Sequence, residues 1–341
     1  MKVVITGGAG FIGLQLARQL LQRGVLVGGS GRSEPIAEVV LFDRQFSANL
    51  PDMPVGGPQL CTVQGDIADR DVVSKLIDRP DISVFHLASI VSAGAEQDFD
   101  LAMQVNLTGH LNVLEALRKV GCAPRYVFAS SIAVYGGDSM PAQVDDLTRQ
   151  VPQTTYGATK AIGELLLNDY SRKGFVDGRG ARLGMVLVRP GQPNRAASGF
   201  GSSMIREPLN GIDCVVPVPL DTRVAVIGYR TVIDGLIALH DVDGARLGTD
   251  RTLNLPATTA SLEELIQSLQ RVAAGLQLGS IRCEVDADVV RIVAGWPSEI
   301  RSQRAALVGL PRDADLDSII RAYMDDYVPR GQRSMSSADS R

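Results

Sequence analysis

An α/β fold on a doubly wound parallel sheet is what this sequence predicts, from two observations. Short apolar runs alternate with stretches of helical period through the first half. The apolar runs are continuous rather than alternating, as strands covered on both faces require. Strand and helix repeated in series give a parallel sheet. The second observation is "TGGAGFIG", a glycine-rich stretch that follows the first strand and opens the first helix.

The elements follow in chain order. Strands are expected at 3–6, 39–42, 61–64, 84–87 and 126–129, with helices at 12–23, 71–78, 101–119 and 156–173 between and after them. A further strand is read over 181–190, in "ARLGMVLVRP". After Pro190 the rhythm breaks, and "GQPNRAASGFGSSMIREPLNG" reads as a loop rich in Gly, Ser, Asn and Pro. Helices are expected at 232–240 and 261–274; "EVDADVVRIVAG" and "DLDSIIRAYMDDY" have mixed character. The division expected is a Rossmann-type domain over 1–185, rejoined by about 224–245. A smaller, partly interleaved substrate domain takes 186–223 and 246–330, and a polar, disordered tail takes 331–341.

Composition narrows the classes of function. A net charge of −4 over 341 residues gives no electrostatic footprint for nucleic acid. No apolar run approaches the roughly 20 residues of a membrane helix, and "MKVVITGG" reads as a strand rather than a signal peptide. Cys61, Cys122, Cys214 and Cys283 are scattered, which suits a reducing cytoplasm. The three histidines show no ligand-like spacing, so no metal is expected.

Gly7, Gly10 and Gly13 have the spacing of a pyrophosphate-binding turn, with Phe11 and Ile12 beside them. Glycine lets the backbone approach the anion, and the helix N-terminus offers free N–H groups. No Lys-Ser/Thr closes the loop, which excludes a Walker A motif. A carboxylate ending the second strand would accept hydrogen bonds from the ribose of NAD. Asp43 ends "EVVLFD" and suits that role, although it stands far beyond Gly13. The rival is Arg32 in "VLVGGSGRS", which would favour NADP; Asp43 is preferred because "VVLF" is the better buried strand and "GGSGRSEPIA" reads as an insertion. Asp66, followed by Ile67, either contacts the adenine or caps a helix.

"SSIAVYGG" closes the fifth strand with two hydroxyls, and "YGATK" places Tyr156 and Lys160 one helical turn apart. With "TGGAGFIG", "VFHLAS", "VNLTG" and "VRPG" in this order, the sequence resembles the extended short-chain dehydrogenase/reductase family of NAD-dependent epimerases and dehydratases. That resemblance implies Ser131, Tyr156 and Lys160 as a catalytic trio, with Lys160 also on the nicotinamide ribose. It implies Leu87, Ala88 and Ser89 along the adenosine and ribose, and Asn106 near the active site. His86 reads as a core histidine. A phenol of pKa about 10 must fall to about 7 to serve as a base, which takes about 4 kcal/mol of anion stabilisation.

The reaction is less specified. Dehydratases of this family carry Asp-Glu after the active hydroxyl, where Ile132 and Ala133 stand here. Epimerase and dehydrogenase are not separated by the core motifs. "YSRKGFVDGRGARL", "VRPGQPNRAASGF", "IREPLNG" and "GWP" resemble one branch, the D-erythronate dehydrogenases, which use NAD to oxidise C2 of a four-carbon sugar acid. A non-catalytic NAD sensor is the rival of another class. The carboxylate of such a substrate calls for a cation: Arg195, Arg206 and Arg223 are candidates, with Asn194 and Ser198 in the closing loop. The partners implied are a small sugar acid and, as an admitted assembly, a second copy in a homodimer.

Overall fold

The computed structural model describes residues 1–46, 50–51, 56–191 and 198–329. Its centre is a seven-stranded sheet with every neighbouring pair parallel. The order across it is Thr252–Asn254, Asp177–Leu183, Arg125–Ser131, Ile82–His86, Lys2–Thr6, Glu38–Asp43, Gln59–Gln64. The chain runs outward from Lys2–Thr6 in one direction, then crosses to Ile82–His86 on its other side. That reversal opens a crevice at the carboxyl ends of these two strands, where such sheets bind ligands. Continuous apolar runs serve both faces. Val3 and Ile5 join one core with Leu16, Leu20 and Leu236, while Val4 joins another with Val113, Leu117 and Phe128.

The helix Phe11–Arg23 starts at Gly10 and stops at Gly24, whose positive φ of 68° suits glycine. Phe11 lies 5.2 Å from the Tyr229 ring and 6.4 Å from that of Tyr327, and the Gln15 amide meets the Tyr327 hydroxyl. Thus the last described helix, Leu316–Tyr327, leans on the first.

Four expectations are corrected. The run 181–190 is not one strand: Asp177–Leu183 belongs to the main sheet, while Met185–Leu187 starts a second. The chain changes sheets at Gly184, where a Cβ would come within 2.8 Å of the Ala225 carbonyl. The second sheet is completed by Arg223–Gly228 and Thr258–Ser261. The expected loop after Pro190 contains the helix Gly199–Leu209. Gly201 within it allows close packing, since a Cβ there would meet Met185 Sδ at 2.4 Å. The inserted stretch after Val27 is a hairpin, with Val25–Val27 antiparallel to Ser33–Pro35. The helix expected over 101–119 is present, but six of its residues, Met103–Thr108, take π-helical form. The two mixed segments prove to be helices, Ala287–Ala294 and Leu316–Tyr327, capped by Asp286 and Asp315. Among the described residues no helix is long and apolar enough to cross a membrane.

Candidate active site

A cavity of about 650 Å³ occupies the crevice. Its floor is the glycine loop. Gly7 has φ of 69°, and a Cβ there would strike Ala88 N at 2.8 Å. A Cβ on Gly13 would meet the Gly7 carbonyl at 2.4 Å. Gly10 caps the helix without a side chain, so the first helical N–H groups are left to the cavity. Phe11, Ile12, Asp66, Ile67, Leu87, Ala88 and Ser89 all line it.

Asp43 stands at the far end of the cavity. Its carboxylate accepts from Ala9 N at 3.0 Å and Arg44 N at 2.7 Å, which ties the strand end to the glycine loop. Arg32 lies in the turn of the outer hairpin, exposed and away from the cavity. The second-strand carboxylate is therefore the group in place. Asp66 does not cap the next helix, because Asp69 does. Instead its carboxylate accepts from Ala68 N at 2.9 Å at the cavity wall. The glycine cradle, the uncapped helix start and the distal carboxylate fit a dinucleotide of the NAD type.

Ser131 ends the strand Arg125–Ser131 and lines the cavity with Tyr156. What brings them together is glycine packing: a Cβ on Gly157 would lie 2.1 Å from the Ala133 carbonyl. Only glycine lets the start of helix Thr155–Arg172 rest on the turn after Ser131. Thr154 caps that helix, accepting from Gly157 N at 3.0 Å. Lys160 follows one turn on, buried, with Nζ donating to the Ala129 carbonyl at 2.7 Å. Its ammonium lies 5.5 Å from the centre of the Tyr156 ring and 4.8 Å from that of Phe128. Burial raises the Tyr156 phenol above its ordinary pKa, with a Ser131 hydrogen bond pulling the other way. Burial also pushes Lys160 down to about 7, against the charge of Glu164. The protein alone therefore does not produce the lowered phenol that the sequence suggests.

Asn106 is set behind the cavity wall rather than on it. Its side-chain oxygen accepts from Ile90 N at 2.7 Å and Ser89 Oγ at 3.1 Å. Its amide donates to the Ile90 carbonyl at 3.0 Å and to Thr159 Oγ1 at 3.2 Å. It braces the Ser89 loop against the Tyr156 helix. Lys160 likewise stands behind the wall. His86 is a buried core histidine, 2.8 Å from Thr6 Oγ1.

Behind the trio lies a buried ion pair. Arg182 donates to Glu164 through Nη2 at 2.7 Å and Nε at 3.0 Å. Glu164 also accepts from Ser130 Oγ, next to Ser131. One carboxylate thus ties together the strand carrying Ser131, the helix carrying Tyr156 and Lys160, and the strand Asp177–Leu183.

The other end of the cavity is cationic. Arg189 and Arg206 line it with Ser198, Ser202 and Trp296. Arg206 is held by Glu207 and donates to the Arg189 carbonyl at 2.8 Å. Burial and the neighbouring Arg206 lower the Arg189 guanidinium, and no carboxylate among the described residues offsets them. Arg223, the expected anion contact, is elsewhere. It begins the central strand of the second sheet, its side chain is 54% exposed, and it faces Glu264 at 3.9 Å. Asn194 and Arg195 lie outside the described residues. Sequence reading passed over Arg189 and Trp296. "VRPG" and "GWP" flagged their neighbourhoods, but nothing local shows that residues 189 and 296 share a wall.

The profile of the NAD dependent epimerase/dehydratase family matches residues 3–242. The chain is similar to a D-erythronate dehydrogenase of Cupriavidus necator, 45% identical over 326 residues, covering 96% of this chain and 98% of that protein. It is similar to a second D-erythronate dehydrogenase, of Haemophilus influenzae, 37% identical over 325 residues, with 95% and 99% covered. Among solved structures it resembles a nucleoside-diphosphate-sugar epimerase from Agrobacterium tumefaciens, with TM-score 0.86, 35% identity, and 97% and 95% of the two chains covered. Glycine cradle, distal carboxylate and full-length likeness agree: the chain belongs to the NAD dependent epimerase/dehydratase family.

Proposed function

We propose that this chain is an NAD-dependent dehydrogenase of a small 2-hydroxy sugar acid, with D-erythronate and its 2-oxo acid as substrate and product. The observation that carries the reading is Arg189, a guanidinium without an offsetting carboxylate among the described residues, at the end of the cavity that holds Ser131 and Tyr156. A carboxylate is its natural complement. The D-erythronate dehydrogenases that this chain resembles along its length support the same substrate.

In this reading Tyr156 Oη takes the proton of the substrate's C2 hydroxyl as that carbon becomes a carbonyl. NAD, held by the Gly7–Gly13 loop and Asp43, would supply the hydride acceptor for C2 and the positive charge of its nicotinamide ring. Ser131 Oγ holds the substrate oxygen. Lys160, close behind the Tyr156 ring, stabilises the phenolate. Arg189 fixes the carboxylate, with its backbone held by Arg206, and Asp43 accepts from the ribose hydroxyls. The division we propose keeps 1–185 as the Rossmann-type part and 186–223 as substrate part, but the sheets move two later segments: Thr252–Asn254 goes with the Rossmann-type part and Arg223–Gly228 with the substrate part.

The test is NADH formation, followed spectrophotometrically with C4 to C6 sugar acids. Stoichiometric NADH from D-erythronate is expected. Tightly held NAD, epimerisation of a sugar nucleotide and no NADH from any acid would overturn the reading. Two substitutions separate the two ends of the cavity. Asp43→Ala should weaken NAD binding and narrow its preference over NADP, leaving KM for the acid nearly unchanged. Arg189→Ala should do the reverse, raising KM for the acid by ten-fold or more, on the order of one charge-assisted hydrogen bond.

A cytoplasmic setting suits four cysteines of which none is paired. The assembly we propose is a homodimer. Leu111, Ile162 and Leu165 are 38%, 38% and 67% exposed on the two neighbouring helices Gly109–Val120 and Thr155–Arg172. Sedimentation velocity would show a single monomeric species if that face is not an interface.

A further inference from the structure

Beside the active-site cavity lies a second one, of about 330 Å³. Its walls include Met140, Val218, Val290 and Val293, and the half-exposed Arg223 stands at its mouth. Trp296 is the single lining residue the two cavities have in common. On one side it faces the space with Arg189 and Ser202; on the other it closes an apolar chamber.

The backbone around Trp296 is pinned on both flanks. Its N–H donates to the Val293 carbonyl at 2.9 Å, ending the helix Ala287–Ala294. Two residues on, Ser298 Oγ donates to the Ala142 carbonyl at 3.2 Å, and Glu299 pairs with Gln143 in a short parallel ladder. The indole also packs against the second core. A side chain held this way is a fixed partition, not a mobile gate.

We infer that Trp296 is a specificity-determining residue: its indole ends the substrate space and limits the enzyme to short 2-hydroxy acids. The inference rests on the proposed function and deepens it. It also states which chemistry the partition excludes. Beyond the indole the walls are mostly apolar, with Thr222, Arg223 and Ser298 the polar exceptions, so the acids shut out most effectively are those with alkyl tails. A polyhydroxylated C6 acid would find too few partners there for all its hydroxyls and gains less from an open passage.

The experiment compares wild type and Trp296→Ala on D-erythronate, D-gluconate and 2-hydroxyoctanoate, with NAD affinity measured alongside. For wild type, kcat/KM should fall steeply from erythronate to the longer acids. In Trp296→Ala, kcat/KM for 2-hydroxyoctanoate should rise, and its ratio to that for erythronate should increase by about ten-fold or more, the scale on which apolar pockets discriminate chain length. Gluconate should gain much less. An unchanged octanoate-to-erythronate ratio in a variant that binds NAD normally overturns the inference while leaving the proposed function intact. A wild type inactive on all three acids overturns the proposed function instead, and the inference with it. Should Trp296→Ala not fold, Trp296→Phe must show a smaller shift of the same ratio in the same direction, and no shift rejects the partition.

Discussion

Tyr156→Phe should turn over substrate about 10² to 10⁴ times more slowly than wild type, the usual contribution of a positioned acid–base group. The substitution is clean in this setting. The ring remains beside the Lys160 ammonium, 5.5 Å from its centre, and the fit of Gly157 against Ala133 is untouched. Only the oxygen that faces the cavity beside Ser131 is lost. NAD affinity should therefore hold while kcat falls, which a fluorescence titration and initial rates separate. The pH dependence follows in sign. Burial raises the phenol, so the base form is scarce at neutral pH and oxidation by wild type should quicken as pH rises. Near-normal turnover by the phenylalanine variant would remove Tyr156 from the chemistry.

The second large effect is expected at a residue that touches neither substrate nor cofactor. Glu164→Leu strands Arg182, which is 3% exposed, without its carboxylate. Breaking a buried pair from one side costs about 3–5 kcal/mol. The urea midpoint should fall accordingly. Activity should drop as well, because Glu164 ties the Ser131 strand to the Tyr156 helix and its charge favours protonated Lys160. The double variant Glu164→Leu, Arg182→Met should recover much of the lost stability, since two matched apolar chains leave no buried charge. A single variant as stable as wild type would show that the pair does not brace the site.

The cofactor half of the site was legible because its signals are local. Gly7, Gly10 and Gly13 act within one turn after the first strand; Tyr156 and Lys160 lie within another turn, and the family resemblance gave that pair its meaning. Asp43 needed one further step, the ranking of two candidate strands, and buried continuity picked out the one that pairs with Lys2–Thr6. The hairpin Val25–Val27 with Ser33–Pro35 explains its late position. The substrate half was legible only as a resemblance. Arg189 and Trp296 are more than a hundred residues apart and meet through packing of the second sheet and its helices, for which no periodicity speaks. The sequence singles out Arg223 and not Arg189; in the structure Arg223 is half-exposed at the start of the second sheet's central strand, while Arg189 follows Met185–Leu187 into the cavity. The helix Gly199–Leu209 was hidden because close packing and turn formation call on the same residues, glycine and serine. Asn106 stood in the sequence between a place near the active site and a brace; its bonds to Ser89, Ile90 and Thr159 are those of a brace.

The contact of Phe11 with Tyr327 joins positions near opposite ends of the chain. On a ribosome, that separation is elapsed time. At about 5–20 residues per second, roughly a quarter of a minute to a minute passes between the emergence of the two rings. Within that interval the other strands of the sheet and then Tyr229 emerge, while the Tyr327 ring that also flanks Phe11 comes only at its close. The part of the cofactor site written first is the part finished last.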